Sequence, residues 1–233
     1  MYEYESLGFF AHHWNVFLDF RHIIWSGVLD TLYMTGITVL LAYAIGMPLG
    51  VLLVCLGRGG LLQNRPLHAI LGFIINTTRS IPFLILLIAL IPFSRLIVGT
   101  AIGNNAVIVA LVIAAAPFIA RMVETAINEV EAGLIDAARS MGATNFQIIT
   151  KVMLPETVPT LIRGASIVTI TIISFSAMGG MMGSGGLGAL AIRHGLNAWR
   201  GDVMFIIIVV IVIIVTIIQF ICNFLASKID RRL

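Results

Sequence analysis

An all-α, polytopic membrane protein with five transmembrane helices is the fold this sequence predicts, on three observations. Of its 233 residues, 59% are hydrophobic and 11% charged, where soluble domains carry about a quarter charged, and the mean hydropathy is +1.06. Charge-free runs cover 31–57, 80–94, 96–120, 164–192 and 203–227; all but one exceed the ~20 residues a helix needs to cross ~30 Å of hydrocarbon. The stretch 206–218 is apolar throughout apart from Thr216, which suits a helix in lipid and not the alternating strand of a barrel.

Taken in order, residues 1–27 read as an N-terminal extension. Its acidic residues Glu3, Glu5 and Asp19 against the single Arg21 do not make the basic leader of a cleaved signal peptide. Phe9, Phe10, Trp14, Phe17, Phe20 and Ile24 interleave with His12, His13, Asn15 and Asp19, a pattern for an amphipathic helix along the membrane interface. His12 and His13 are adjacent, so they point to different helical faces and read as a solvated pair. The transmembrane domain then runs over 28–233. Its spans are expected at 31–56, 68–92, 103–122, 162–182 and 203–226, the second joining two short apolar stretches around Arg79. Pro48 and Pro117 are expected to kink their helices, and Cys55 and Cys222 to pack as small apolar residues.

Five spans put the two ends on opposite sides, so basic residues decide the orientation. Arg58, Arg65, Arg121, Arg139, Lys151, Arg163, Lys228, Arg231 and Arg232 fall on one side; Arg21, Arg95, Arg193 and Arg200 fall on the other. The richer side is cytoplasmic by this rule, with the N-terminus outside and the C-terminus inside.

The one long polar segment, 123–161, lies on that cytoplasmic side and is where a partner should meet the chain. It reads as two short helices around a glycine. Gly142 supplies a left-handed exit from the first, Thr144 with Gln147 forms a capping box opening the second, and Pro155 discourages continuation. Ala137 and Ala138 allow a close approach to the first helix, with Asp136 and Arg139 as polar contacts at its edge.

This segment resembles a cytoplasmic motif of ATP-binding cassette (ABC) importer permeases: Glu-Ala-Ala, three residues, Gly, nine residues, then Ile, any residue, Leu-Pro. Here it runs Asp136-Ala137-Ala138, three residues, Gly142, nine residues, Val152-Met153-Leu154-Pro155, with Asp for Glu and Val for Ile. From about residue 25 onward the chain is similar to the permeases of methionine importers, through Arg79-Ser-Ile-Pro82-Phe, Ile91-Pro92-Phe93, Ala116-Pro117-Phe118 and Ser176-Ala-Met178-Gly-Gly. The resemblance implies a type I importer architecture in a bacterial inner membrane. It implies a second permease copy, two cytoplasmic ATPase subunits and an extracytoplasmic binding protein, with no nucleic acid. It makes Asp136, Ala137, Ala138, Arg139, Gly142, Leu154 and Pro155 the residues that couple to the ATPase.

The chain has no phosphate-cradling Gly-x-x-x-x-Gly-Lys loop, since its two lysines follow Thr150 and Ser227. ATP and Mg therefore belong to the partner, the chain is not an enzyme, and no cofactor or metal is expected on it. Gly183-Ser-Gly185-Gly-Leu-Gly188 fits a dinucleotide pattern but follows a membrane helix and reads as close-packed or irregular backbone. Candidates for the translocation pathway are Arg79, Ser174, Ser176, Met178, Met181 and Met182, with helix packing or lipid contact as the competing role for the serines and methionines. For Arg79 the competing role is snorkelling to the interface. Importers of another small amino acid or osmolyte, a secondary transporter and a channel are the alternatives. A coupled secondary transporter would place Asp, Glu or His at mid-membrane, and none is seen there.

Overall fold

The computed structural model describes residues 8–229, so Glu3, Glu5, Arg231 and Arg232 lie outside the described residues. Helix α1 (Phe9–Leu56) is a single rod of 48 residues, ~72 Å long at 1.5 Å per residue. No break falls near residue 27, so the amphipathic N-terminal stretch is the first half of the same helix that crosses the membrane. The reason is packing. Val16 and Ile24 are buried against Leu187, Val203 and Ile206 near the far end of the chain, which holds the segment upright along the bundle. The histidines are correspondingly not a solvated pair: His12 Nε2 lies 3.9 Å from Asp202 and the His13 ring meets Phe205 at 5.0 Å.

Helix α2 (Arg65–Ser80) opens on Asn64, whose side chain accepts from Leu67 N, with a proline in its first turn. The single second span expected over 68–92 is instead broken. Ile81 precedes Pro82 and adopts φ −82°, ψ 125°, because the proline ring disfavours helical geometry in the residue before it. Helix α3 (Phe83–Ala89) leaves at 104° to α2, and α4 (Ile91–Val98) follows. Ser94 donates to Ala106 O at 3.0 Å, tying α4 to the start of α5 (Asn104–Asn128).

Helix α5 is the centre of the bundle, with 67% of its most apolar stretch buried inside the molecule. Its principal partner is α1, which crosses it at Gly46 and Gly50. A Cβ at Gly46 would stand 2.6 Å from Ala116 O, and one at Gly50 would stand 2.5 Å from Ala120 O. This is the small-x-x-x-small contact of membrane helices, and both helices run through their prolines, Pro48 and Pro117, without ending.

After α5 come α6 (Ala132–Ser140) and α7 (Asn145–Ile148), so the connection between long helices is shorter than 123–161. Pro155 does not stop the second short helix. A π turn at Ile149–Met153 leads directly into α8 (Leu154–Gly179), and Leu154 N–H reaches Ile149 O, five residues back. Widening the turn here accommodates a proline that has no N–H to donate and whose ring would crowd the usual acceptor. A glycine-rich turn, the short α9 (Leu187–Leu190) and a π-helical stretch at Ala191–Leu196 complete the return. The final helix α10 (Gly201–Ile229) has only 11% of its apolar window buried, which leaves most of its surface for lipid. With the bent pair counted as one, five segments among the described residues are long and apolar enough to cross a membrane.

Candidate functional site

At one end of the bundle α6 and α7 form a hairpin whose geometry follows from three residues. Gly142 has φ +79°; its N–H donates to Arg139 O at 2.9 Å and the N–H of Ala143 to Ala138 O at 3.1 Å. That double closure at a left-handed residue terminates α6 and favours glycine. Thr144 Oγ1 then accepts from Gln147 N while Gln147 Oε1 accepts from Thr144 N, the capping box expected from the sequence. Asp136 and Arg139 pair loosely at 3.7 Å and are largely exposed, a contact worth little in water. Ala137 faces outward whereas Ala138 is buried. Ile135, Ala138, Ile148 and Met153 enter the main core cluster, and Asn145 donates to Leu61 O at 3.3 Å, joining the hairpin to the turn between α1 and α2. Leu154 is half-buried and Pro155 exposed at the base of α8.

The exposed face of the hairpin carries large apolar residues beside Asp136 and Arg139. Leu134, Met141 and Phe146 are 42%, 81% and 74% exposed, a cluster of apolar side chains around Gly142 of the kind that marks an interaction surface. They escape a motif reading because the motif constrains the turn between them. The available signal was a Met and a Phe on either side of a helix-ending glycine.

The pathway candidates separate. Arg79, at the end of α2, stands over the Phe118 ring of α5 at 5.7 Å. It borders a cavity of about 250 Å³ shared with Thr78, Thr171 and the rings of Phe83 and Phe175, which stack 4.5 Å apart and parallel within 1°. A second cavity of about 400 Å³ also has Arg79 and Phe118 in its wall and adds Arg121, Met122, Glu124 and Thr125. Arg121 pairs with Glu124 at 2.6 Å and donates to Asn76 Oδ1 at 3.0 Å, tying α5 to α2. Neither cavity contains Ser174, Ser176, Met178, Met181 or Met182. Ser176 is buried and its hydroxyl donates to Ile173 O at 2.8 Å. Ser174 is exposed and bonded to its own helix. Met178 and Met181 are 40% and 67% exposed, and Met182 packs on the core.

The glycine turn at the opposite end is held by residues outside the sequence-based candidates. Asn104 donates to Asp30 Oδ1 at 2.9 Å and accepts from Gly185 N at 2.6 Å. Thr31 Oγ1 accepts from Leu187 N at 2.9 Å. Gly186 has φ +96°, and a Cβ on Gly188 would meet Ala177 Cα at 2.2 Å. The cluster is thus close-packed irregular backbone in which the N–H groups of Gly185 and Leu187 are satisfied by side chains from α5 and α1.

Residues 46–233 match the sequence model of a family described as binding-protein-dependent transport system inner membrane component. The chain belongs to that family. It is 47% identical over 203 residues to a probable D-methionine transport system permease protein, MetI, of Vibrio cholerae, covering 87% of this chain and 90% of that one. It is 46% identical over 209 residues to the methionine import system permease protein MetP of Bacillus subtilis, covering 90% and 94%. Among solved structures, an inward-facing form of the MetNI methionine ABC transporter superposes with a TM-score of 0.89 at 45% identity, over 91% of this chain and 99% of that one. An amino acid ABC transporter at 22% identity and a TM-score of 0.71, over 94% and 97%, shares the fold. As an inner membrane component of a transport system, the chain performs its work in the bilayer, where its apolar helices and the largely lipid-exposed α10 place it.

Proposed function

We propose that the chain is the permease subunit of an ABC importer that carries methionine, in L- and D-forms, across the membrane by alternating access. The observation that carries this reading is the α6–α7 hairpin, with exposed apolar residues on its outer face and buried ones on its inner face. A partner gripping Leu134, Met141 and Phe146 moves a rigid lever, because Ala138, Ile148 and Met153 are buried in the core with Ile135 packed against it. The methionine-transporter relatives at 45–47% identity support the substrate.

In this scheme two permease copies flank one pathway and two ATPase subunits, which hold ATP and Mg, dock on the hairpins. An extracytoplasmic binding protein delivers substrate at the glycine-turn end. The hairpin end is cytoplasmic, which puts the N-terminus outside; Arg58 and Arg139 line one cavity at that end, in keeping with the distribution of basic residues. ATP-driven closure of the ATPase pair rocks the bundles outward-open and hydrolysis resets them. The chain's own residues hold, gate and release substrate and form no covalent bond with it.

The test is Gly142→Pro. Proline cannot adopt φ +79° and lacks the N–H that reaches Arg139 O, so the hairpin must refold while the membrane helices are untouched. Loss of ATP-dependent uptake with normal membrane insertion is expected; unchanged uptake refutes the hairpin's role.

A further inference from the structure

We propose that the 250 Å³ cavity beside Arg79 is a transit site for a free amino acid, in which Arg79 receives the carboxylate and the Phe83–Phe175 pair receives the apolar side chain. The inference rests on the importer reading above and adds the point at which the permease itself meets its cargo.

Arg79 lies 14 residues into α2, ~21 Å from its start at helical rise, deep along the span, with its side chain exposed on the surface of the chain. Its guanidinium makes no ion pair among the described residues and stands over the face of Phe118 at 5.7 Å. An arginine at such depth is costly unless it is paired or wetted, and its planar fork matches a carboxylate in two parallel hydrogen bonds. The remaining walls complete a zwitterion's requirements. Thr78 and Thr171 spend their protons on Ile74 O at 3.0 Å and Ile167 O at 2.8 Å, which leaves hydroxyl lone pairs to accept from an ammonium group. Phe83, Phe175 and Ile172 offer an apolar wall, and ring edges suit a thioether. The volume is that of ~8 waters at ~30 Å³ each, the scale of one amino acid and not of a peptide.

Position makes the site one of passage. Arg79 and Phe118 belong to both cavities, so a carboxylate released from the first enters the second without leaving the guanidinium's reach. There it finds Arg121 already neutralised by Glu124 at 2.6 Å, which offers weaker competition. Weak, sequential binding is what conduction requires.

The experiment uses the permease with its ATPase, without binding protein, in detergent. Saturation-transfer NMR reports binding of L-methionine and of methionine amide, which lacks the carboxylate. Wild type is expected to bind L-methionine at millimolar concentration and the amide at least tenfold more weakly, the loss of one charge-assisted pairing. Arg79→Gln should bring L-methionine down to the amide's level and leave the amide unaffected, while Arg79→Lys recovers part of the difference. Phe118→Leu, which removes only the ring beneath the guanidinium, should retain most of it. Equal binding of L-methionine by wild type and Arg79→Gln overturns the proposal, as does a Phe118→Leu loss matching that of Arg79→Gln. If the wild-type complex with its binding protein shows no ATP-dependent methionine uptake, the substrate reading fails separately. The same saturation-transfer measurement with a panel of amino acids then decides the site: a signal that disappears in Arg79→Gln upholds it, and a signal indifferent to the substitution overturns it.

Discussion

Thr38 in α1 is fully buried and its hydroxyl has no hydrogen-bond partner, so Thr38→Val should raise thermal stability in detergent by about 1 kcal/mol, the cost of an unmet buried hydroxyl. A lower melting temperature would show that the hydroxyl is satisfied by something other than protein. Asn104 is the opposite case. Its amide serves Asp30 and Gly185 at once, and Asn104→Ala should cost about 1–3 kcal/mol by stranding both groups; an unchanged melting curve would contradict this. Single residues were legible in the sequence where local chemistry decides their role: Gly142 by its left-handed turn, Thr144 and Gln147 by their reciprocal cap. They were illegible where the partner is distant in sequence. Asp30, Thr31 and Asn104 are ordinary polar residues at span ends until the fold brings the glycine turn between them.

At the scale of elements, span positions follow from charge-free runs because lipid tolerates little else, and those positions match the long helices. What charge-free runs do not encode is continuity. Pro82 breaks a span that composition joins, because the residue before it turns extended, and Pro155 fails to break a helix because a π turn absorbs it. The N-terminal extension merges into α1 through long-range packing of Val16 and Ile24 that no local pattern announces. The α1–α5 crossing was open to reading in Gly46-x-x-x-Gly50 but carries no charge or motif to draw notice. Gly50→Val should destabilise the bundle by on the order of 3 kcal/mol through overpacking, since its added carbons meet Ala120 O and Val123. The check is the fraction of monodisperse protein after mild heating, and a wild-type profile would mean the helices part easily. At the hairpin, Phe146→Ser should weaken ATPase binding by about tenfold, as expected for a central apolar anchor worth more than about 1 kcal/mol. The membrane helices should be unaffected, so protein yield should be unchanged while the ATPase dissociates on dilution.

For the whole molecule, family membership follows from a match that spans residues 46–233, and the arrangement of its parts suits the proposed drive by an outside ATPase. The hairpin at one end and the glycine turn at the other are linked by α5 and α8, which also form walls around Arg79. A push on the hairpin therefore reaches the cavity through packed helices and not through a flexible loop. On the proposed reading, transport is a change in which end of the Arg79 cavity is open. The most direct measurement of that claim is uptake of labelled L-methionine into proteoliposomes holding the permease with its ATPase and binding protein, with ATP inside or outside. Uptake that requires ATP on the hairpin side and is lost in Gly142→Pro, while that variant still inserts, is the result predicted. Uptake without ATP, or equal uptake by the variant, would contradict it.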